Sequence, residues 1–167
     1  MKKILYILLF SISSILMVSC GAYSFTGTNI TAETIQIDFF PNQAPLVEPV
    51  LSQRFTQDLQ DLFTRQTNLT LVRSNGELQL SGEITGYRVN PMSATAQQTA
   101  AQNRLTVTVN VRFVNTKNEK DDFEKQFSFY SDFNANSQLS GGVLESALDE
   151  ILERIIQDIF NASVAKW

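Results

Sequence analysis

A strict alternation of apolar and polar side chains between residues 104 and 113 most constrains what this chain can fold into. The apolar positions are Leu105, Val107, Val109, Val111 and Phe113, and the polar ones between them are Thr106, Thr108, Asn110 and Arg112. Because side chains alternate across a strand, this segment predicts a β-strand with one apolar and one polar face. A sheet of that kind must bury its apolar face against a second layer.

Other segments also have strand character. Residues 34–40 alternate, with Ile35, Ile37 and Phe39 on one side, and residues 123–129 carry phenylalanines at a strand spacing. Residues 69–72 form a shorter β-prone piece that we do not count as a strand of the sheet.

The segment 77–89 predicts a long strand. Leu80 and Ile84 lie on one face, and Gly82 and Gly86 are expected on the same face. The apolar positions change parity after Gly86, which predicts a β-bulge at that glycine.

Two segments have the period of an amphipathic helix. The apolar stripes comprise Leu51, Phe55, Leu59 and Leu62 in residues 50–66, and Leu144, Leu148, Ile151, Ile155 and Ile159 in residues 144–160. The order β-α-β-β-β-α predicts an α/β (α+β) two-layer sandwich. It has a mixed four-stranded sheet, both helices on one face, and a right-handed crossover through the first helix.

The N-terminal residues have the layout of a lipoprotein signal. Lys2 and Lys3 precede an uncharged run, and Ser19 stands directly before Cys20, the only cysteine. The run is shorter than the roughly 18 residues of a membrane span. We therefore expect acylation of Cys20; an ordinary signal peptide with an incidental cysteine is the alternative. The predicted organisation is a signal peptide over 1–19, a lipidated tether over 20–33 and a single domain over 34–167.

Composition excludes several classes of function. Once the two lysines of the signal are removed, 11 basic and 17 acidic residues remain, a net charge of −6 that argues against a nucleic-acid partner. The chain has no histidine, and an acylated Cys20 can be neither nucleophile nor metal ligand. No glycine-rich phosphate loop or serine hydrolase motif occurs. We expect no enzymatic activity, no metal and no cofactor.

Residues 91–102 contain no charge and little to bury. They predict a hairpin connection longer than the usual two to five residues. A flexible loop and a segment that orders inside a partner are both consistent with this composition.

With these elements placed, the mature sequence resembles the LptE-type lipopolysaccharide-assembly lipoproteins. The resemblance rests on the order and spacing of several pieces rather than on one motif, and it covers nearly the whole mature chain. The pieces are Cys20–Gly27, Phe39-Phe40-Pro41, Leu51–Leu59, Leu78–Ile84 followed by Tyr87, and Asn103–Val107.

The resemblance implies a non-enzymatic lipoprotein held on the periplasmic side of the outer membrane by acylated Cys20. Its partner would be a large LptD-like β-barrel, which it plugs and helps to assemble while lipopolysaccharide is delivered to the outer leaflet. In many Gram-negative bacteria an aspartate after the acylated cysteine retains a lipoprotein at the inner membrane. The residue here is Gly21, which agrees with a location at the outer membrane. Phosphate groups of the lipid need facing cations, and the candidates are Arg88, Arg104, Lys117, Lys120 and Lys125; ordinary surface charge is the alternative for each.

Two other functions stay open at this point. A periplasmic lipid carrier that acts without a barrel would need an enclosed apolar cavity. An envelope-anchored enzyme is disfavoured by the missing histidine and free cysteine.

Overall fold

The computed structural model describes residues 31–46, 48–92 and 101–164. Five strands and two helices make up this part of the chain. In chain order they are β1 Thr34–Ile37, α1 Leu51–Gln66, β2 Thr70–Val72, β3 Leu78–Met92, β4 Gln102–Asn115, β5 Phe123–Asn134 and α2 Gly141–Ser163, with a 3-10 turn at Glu119–Asp121 before β5.

All strands belong to one sheet in the order β2-β1-β3-β4-β5. β1 is parallel to β2 and to β3, and β3, β4 and β5 form an antiparallel meander. The predicted mixed sheet with two helices is confirmed, but it has five strands and not four. β2 is only three residues long. An alternation of side chains cannot be recognised over so few positions, so it is the pairing with β1 that makes this segment a strand.

The predicted β-bulge is present in β3. The register with β4 shifts between Ile84 and Gly86, so that Ile84 lies opposite Val109 and Gly86 opposite Thr108. The expectation that Gly86 shares the apolar face is wrong, because the extra residue comes before Gly86 and turns it to the polar side. Gly82 does lie on the apolar side, where an added Cβ would come within 2.7 Å of the Phe40 ring.

Both helices pack on the apolar face of the sheet. The Phe55 ring of α1 meets Phe40 edge-on at a centroid distance of 5.1 Å, and the Phe160 ring of α2 meets Phe63 of α1 at the same distance. The fully buried side chains between the layers include Leu51, Leu59, Leu80, Ile84, Leu105 and Leu148. At the helix surface, Arg54 of α1 forms ion pairs with Glu145 and Asp149 of α2. Packing of apolar side chains therefore holds the layers together, since exposed ion pairs contribute little.

The register also defines the two ends of the sheet. Ile35 lies beside Leu78, and Leu78 lies beside Asn115, so the chain enters the domain at the end where β4 leaves it. We call this the entry end, and we call the opposite end, marked by Met92 and Gln102, the loop end. β4 has 14 residues, which separates the two ends by about 45 Å.

Neither helix described here is long and apolar enough to cross a bilayer.

Candidate functional site

The open face of the sheet, opposite the helices, is the candidate site. Residues that are paired across the register share a face, and the helices leave this face uncovered. On β3 it carries Ser81, Glu83, Gly86, Arg88 and Asn90; on β4 Arg104, Thr106, Thr108, Asn110 and Arg112; on β5 Glu124, Gln126, Ser128, Tyr130 and Asp132. Apart from Gly86 and Tyr130, every one of these side chains is polar or charged, as the alternation in β4 predicts.

Arg104 is held in place at the loop end of this face. Its Nε and Nη2 donate to the two carboxylate oxygens of Asp132 at 2.7 and 2.8 Å, and its guanidinium lies 3.5 Å from the centroid of the Tyr130 ring. The hydrogen bonds from Arg104 lower the pKa of Asp132, and the same bonds raise the pKa of Arg104. Arg104 is therefore a rigid cation whose charge Asp132 largely compensates.

Arg88 is the neighbouring cation. It lies opposite Thr106, diagonal to Arg104, and is exposed. It forms no ion pair with any residue in the described part of the chain. Its guanidinium is consequently available to an anion.

A shallow depression of about 340 Å³ lies beside Arg88. It exists because Gly86 has no side chain there, and a Cβ at that position would come within 3.0 Å of Thr108. The lining is almost wholly polar and comprises Thr85, Gly86, Arg88, Asn90, Thr106, Thr108 and Gln126. Hydroxyl and amide donors next to an unpaired guanidinium can bind a phosphate oxygen.

Further along the face, polar side chains bind one another. The hydroxyls of Thr108 and Ser128 are 3.0 Å apart, and Asn110 Nδ2 donates to Glu124 Oε1 at 3.4 Å. These cross-strand pairs hold the side chains in fixed positions above the sheet.

The three predicted lysines lie away from this site. Lys117 is at the entry end, where its Nζ is 2.7 Å from Glu77 Oε1, and the hydrogen bond from Lys117 lowers the pKa of Glu77. Lys120 lies in the 3-10 turn at that end. Lys125 pairs with Val111 and so belongs to the helix side, with its Nζ 5.1 Å from the Phe127 ring centroid. The structure thus brings together only Arg88 and Arg104 of the five candidates.

Two residues of the face, Tyr130 and Asp132, are not predicted from the sequence. Arg112 is predicted on the polar face but not as a candidate cation. Tyr130 and Asp132 are not predicted because the last strand is expected to end near Phe129, whereas β5 continues to Asn134. The buried polar Ser131 interrupts the alternation on the helix side, and its hydroxyl donates to Glu150 at 2.6 Å.

Cys20 and residues 93–100 of the predicted hairpin tip lie outside the described residues. Within the described residues no group of three or more metal-ligating side chains could hold a metal ion.

Comparison with known families agrees with this architecture. The sequence model of the LptE lipopolysaccharide-assembly family matches residues 32–163, from just before β1 to the last residue of α2. The chain belongs to the LptE family.

The fold of this LptE-family chain is also found in a solved structure of low sequence identity. A hypothetical protein from Chlamydia trachomatis is 9% identical with a TM-score of 0.55, and the alignment covers 81% of this chain and 99% of that one. A minor lipoprotein from Acinetobacter baumannii is 11% identical with a TM-score of 0.48, covering 81% and 98%. The comparison with curated proteins found no match.

Proposed function

We propose that this LptE-family protein is a non-enzymatic outer-membrane lipoprotein that binds and plugs an LptD-like β-barrel. In this role it helps the barrel to assemble and to deliver lipopolysaccharide to the outer leaflet. The observation that carries the proposal is the family match over residues 32–163. An acyl group on Cys20 would hold the protein at the periplasmic side of the membrane.

The open face supports this role. A plug must present a polar surface to the water-filled interior of a barrel, and the face that three neighbouring strands present to solvent here is mostly polar. The helix-side face, in contrast, is filled by the domain's own core.

Arg88 and Arg104 support contact with the phosphate groups of lipopolysaccharide. They are diagonal neighbours beside the depression at Gly86. Arg88 is unpaired among the described residues, and Arg104 is positioned by Asp132. Lys117, Lys120 and Lys125 stay candidate contacts, but they lie away from the depression, and Lys117 is paired with Glu77.

Copurification tests the barrel partner. The full chain, expressed with its signal and extracted from outer membranes in detergent, should recover a large β-barrel in near-equal amount. A photocrosslinker at Gln126, on the open face, should capture that barrel, whereas one at Asp61, on the exposed side of α1, should capture much less. Recovery of the lipoprotein without any barrel would refute the proposal, and crosslinking from Asp61 alone would refute the assignment of the face.

Lipid binding tests the cations. We expect Arg88→Gln to weaken binding of purified lipopolysaccharide about tenfold, the loss expected for one charged hydrogen bond. Arg65→Gln on α1 removes the same charge far from the open face and should leave affinity within about twofold. Equal affinities of the two variants would contradict the assignment of Arg88.

A further inference from the structure

Within the described residues, the outer edge of β5 has backbone hydrogen-bonding groups without a partner. Ala135 N–H donates to Ala101 O at 3.0 Å, which makes 135 and 101 a hydrogen-bonded pair. Hydrogen-bonded and non-hydrogen-bonded pairs alternate along two antiparallel strands. The backbone N–H and C=O groups of the odd residues of β5 therefore bond to β4, and those of the even residues point away from the sheet. The outward residues are Glu124, Gln126, Ser128, Tyr130 and Asp132. Their backbone groups have no hydrogen-bond partner elsewhere in residues 31–46, 48–92 and 101–164.

This edge lacks several of the features that usually protect edge strands, although it carries the charged residues Glu124, Lys125 and Asp132. β5 contains neither proline nor glycine, and its register with β4 is continuous from Phe123 to Asn134. Natural edge strands are mostly short, bulged or interrupted by proline. The opposite edge, β2, is short in this way, with three residues. Twelve residues of regular edge strand can therefore accept another strand.

α2 lies alongside the loop-end half of this edge. Two hollows lie between β5 and α2, of about 440 and 280 Å³, and Glu150 borders both. The larger is lined by Phe133, Val143 and Ala147 among others. The smaller is lined by Phe129, Glu153, Arg154 and Gln157. A strand added to β5 would direct alternate side chains into these hollows, the arrangement in which strand-adding domains read a peptide.

The charges around the hollows favour a cationic strand. Asp132 is compensated by Arg104. Glu150, which accepts a hydrogen bond from the Ser131 hydroxyl, and Glu153 form no ion pair with described residues. In this part of the chain, the one cation in the lining of the smaller hollow is Arg154, which is exposed and 3.8 Å from Asp158. The two carboxylates outnumber this cation, so the hollows keep a net negative charge towards the space that an added strand would occupy.

A second copy of the chain fits this edge less well. The antiparallel register that uses all five outward residues centres on Ser128 and places Glu124 opposite Asp132 of the other copy, twice. Because Arg104 compensates Asp132, this contact by itself adds little repulsion. The two-fold axis of such a pair is perpendicular to the sheet, so both α2 helices lie on the same side, and the main repulsion comes from Glu150 and Glu153 of the two copies.

We propose that the β5 edge and α2 together bind an extended, lysine- or arginine-bearing polypeptide segment as a sixth strand. The outward backbone groups of β5 supply the main-chain hydrogen bonds. The hollows against α2 receive alternate side chains, and Glu150 and Glu153 select cations among them. The side chains of the same β5 residues lie on the open face, but this site uses their backbone groups and the hollows on the helix side. The proposal does not depend on the barrel role.

The probe is an acetylated peptide amide of about eight residues that alternates lysine and valine, compared with one that alternates glutamate and valine. The full chain in detergent is titrated with each labelled peptide by fluorescence anisotropy. Hydrogen exchange of the backbone amides is then measured with and without saturating peptide. We expect the lysine peptide to bind at least about tenfold more tightly and to protect the amides of Gln126, Ser128 and Tyr130.

Two matched pairs of variants test whether the peptide binds at the β5 edge and at α2. Ser128→Pro removes an outward N–H and should weaken binding about tenfold, whereas Ser128→Ala loses the same hydroxyl but keeps the N–H and should bind like wild type. Glu153→Gln should weaken binding of the lysine peptide severalfold, and Asp61→Asn, an equal charge change on α1, should not.

Several results would overturn the proposal. They are no binding of the lysine peptide at about 1 mM, binding without protection of the outward amides, and equal binding by Ser128→Pro and Ser128→Ala. Protection of these amides in the absence of peptide, together with the mass of a dimer, would assign the edge to a second copy and would also overturn it.

Discussion

The two faces of one sheet differ in what they contribute to this protein, although the same strands build both. Leu105 and Val107 of β4 are fully buried under the helices, while their neighbours Thr106 and Thr108 line an open polar depression. On the helix side, shape and volume determine the residue type. On the open side, hydrogen-bonding and charge do, and Arg104 and Asp132 are fixed by each other and not by the core.

Along β4, positions that stabilise the core therefore alternate with positions that belong to the candidate site. A one-residue step along β4 moves from a position that the fold requires to one that is free to serve binding. The predictions below test that separation.

The largest difference is expected between adjacent residues of β4. Leu105→Ala removes a fully buried side chain and should lower the free energy of unfolding by about 3 kcal/mol. Thr106→Val, one residue along on the open face, should change it by less than about 0.5 kcal/mol. Urea denaturation followed by circular dichroism measures both. Similar losses for the two variants would show that the faces do not differ as described.

A smaller difference is expected between the two glycines of β3. At Gly82 an added Cβ would lie 2.1 Å from the backbone oxygen of Asn110, so that a strand must move. At Gly86 the nearest atoms are Cβ and Oγ1 of Thr108, at 3.0 and 3.1 Å, so the overlap is smaller and does not involve the facing backbone. Gly82→Ala should therefore cost about 2 kcal/mol of stability and Gly86→Ala less than about 1 kcal/mol.

The same denaturation experiment tests these glycines. Equal losses at Gly82 and Gly86 would contradict the placement of the bulge before Gly86. Gly86→Ala narrows the depression. If this variant folds normally but binds lipopolysaccharide more weakly, a change on the open face affects binding without affecting stability.

The smallest effect concerns the ion pair on the open face and its dependence on pH. The hydrogen bonds from Arg104 lower the pKa of Asp132 in the folded protein. The ion pair therefore stabilises the fold above the unfolded pKa of about 3.9, and this stabilisation is lost as pH falls through the lower folded pKa. A double-mutant cycle of Arg104→Gln and Asp132→Asn should give a coupling energy that is constant above about pH 5 and vanishes in stronger acid. A coupling energy that persists in acid would show that Arg104 still interacts with the protonated carboxyl of Asp132, and would contradict an interaction that depends on the charge of the carboxylate.

Long and regular patterns made much of the fold predictable. The stripe of α1 and the alternation of β4 each repeat over many residues, so local period alone identified both elements and their buried sides. The bulge was visible as a change of parity in β3. Its position was misjudged by one residue, because glycine has no side chain to indicate which face it occupies.

The candidate site was less predictable. Arg88 and Arg104 flank one hairpin and were brought together as their place in the sequence suggested. Lys125 lies on the next strand, β5, and its pairing with Val111 turns it to the helix side. Asp132, which positions Arg104, lies 28 residues further along the chain, and only the register of β4 with β5 makes them neighbours.

Sequence by itself determined the element types, the one-sided sheet and its helical cover, because apolar side chains must leave water with the period of the backbone that carries them. Tertiary structure alone decided the fifth strand, the face of Gly86, the pairing of Arg104 with Asp132 and the unpaired edge of β5. Each of these depends on which backbone hydrogen bonds form between distant segments, and no local pattern of side chains specifies that register.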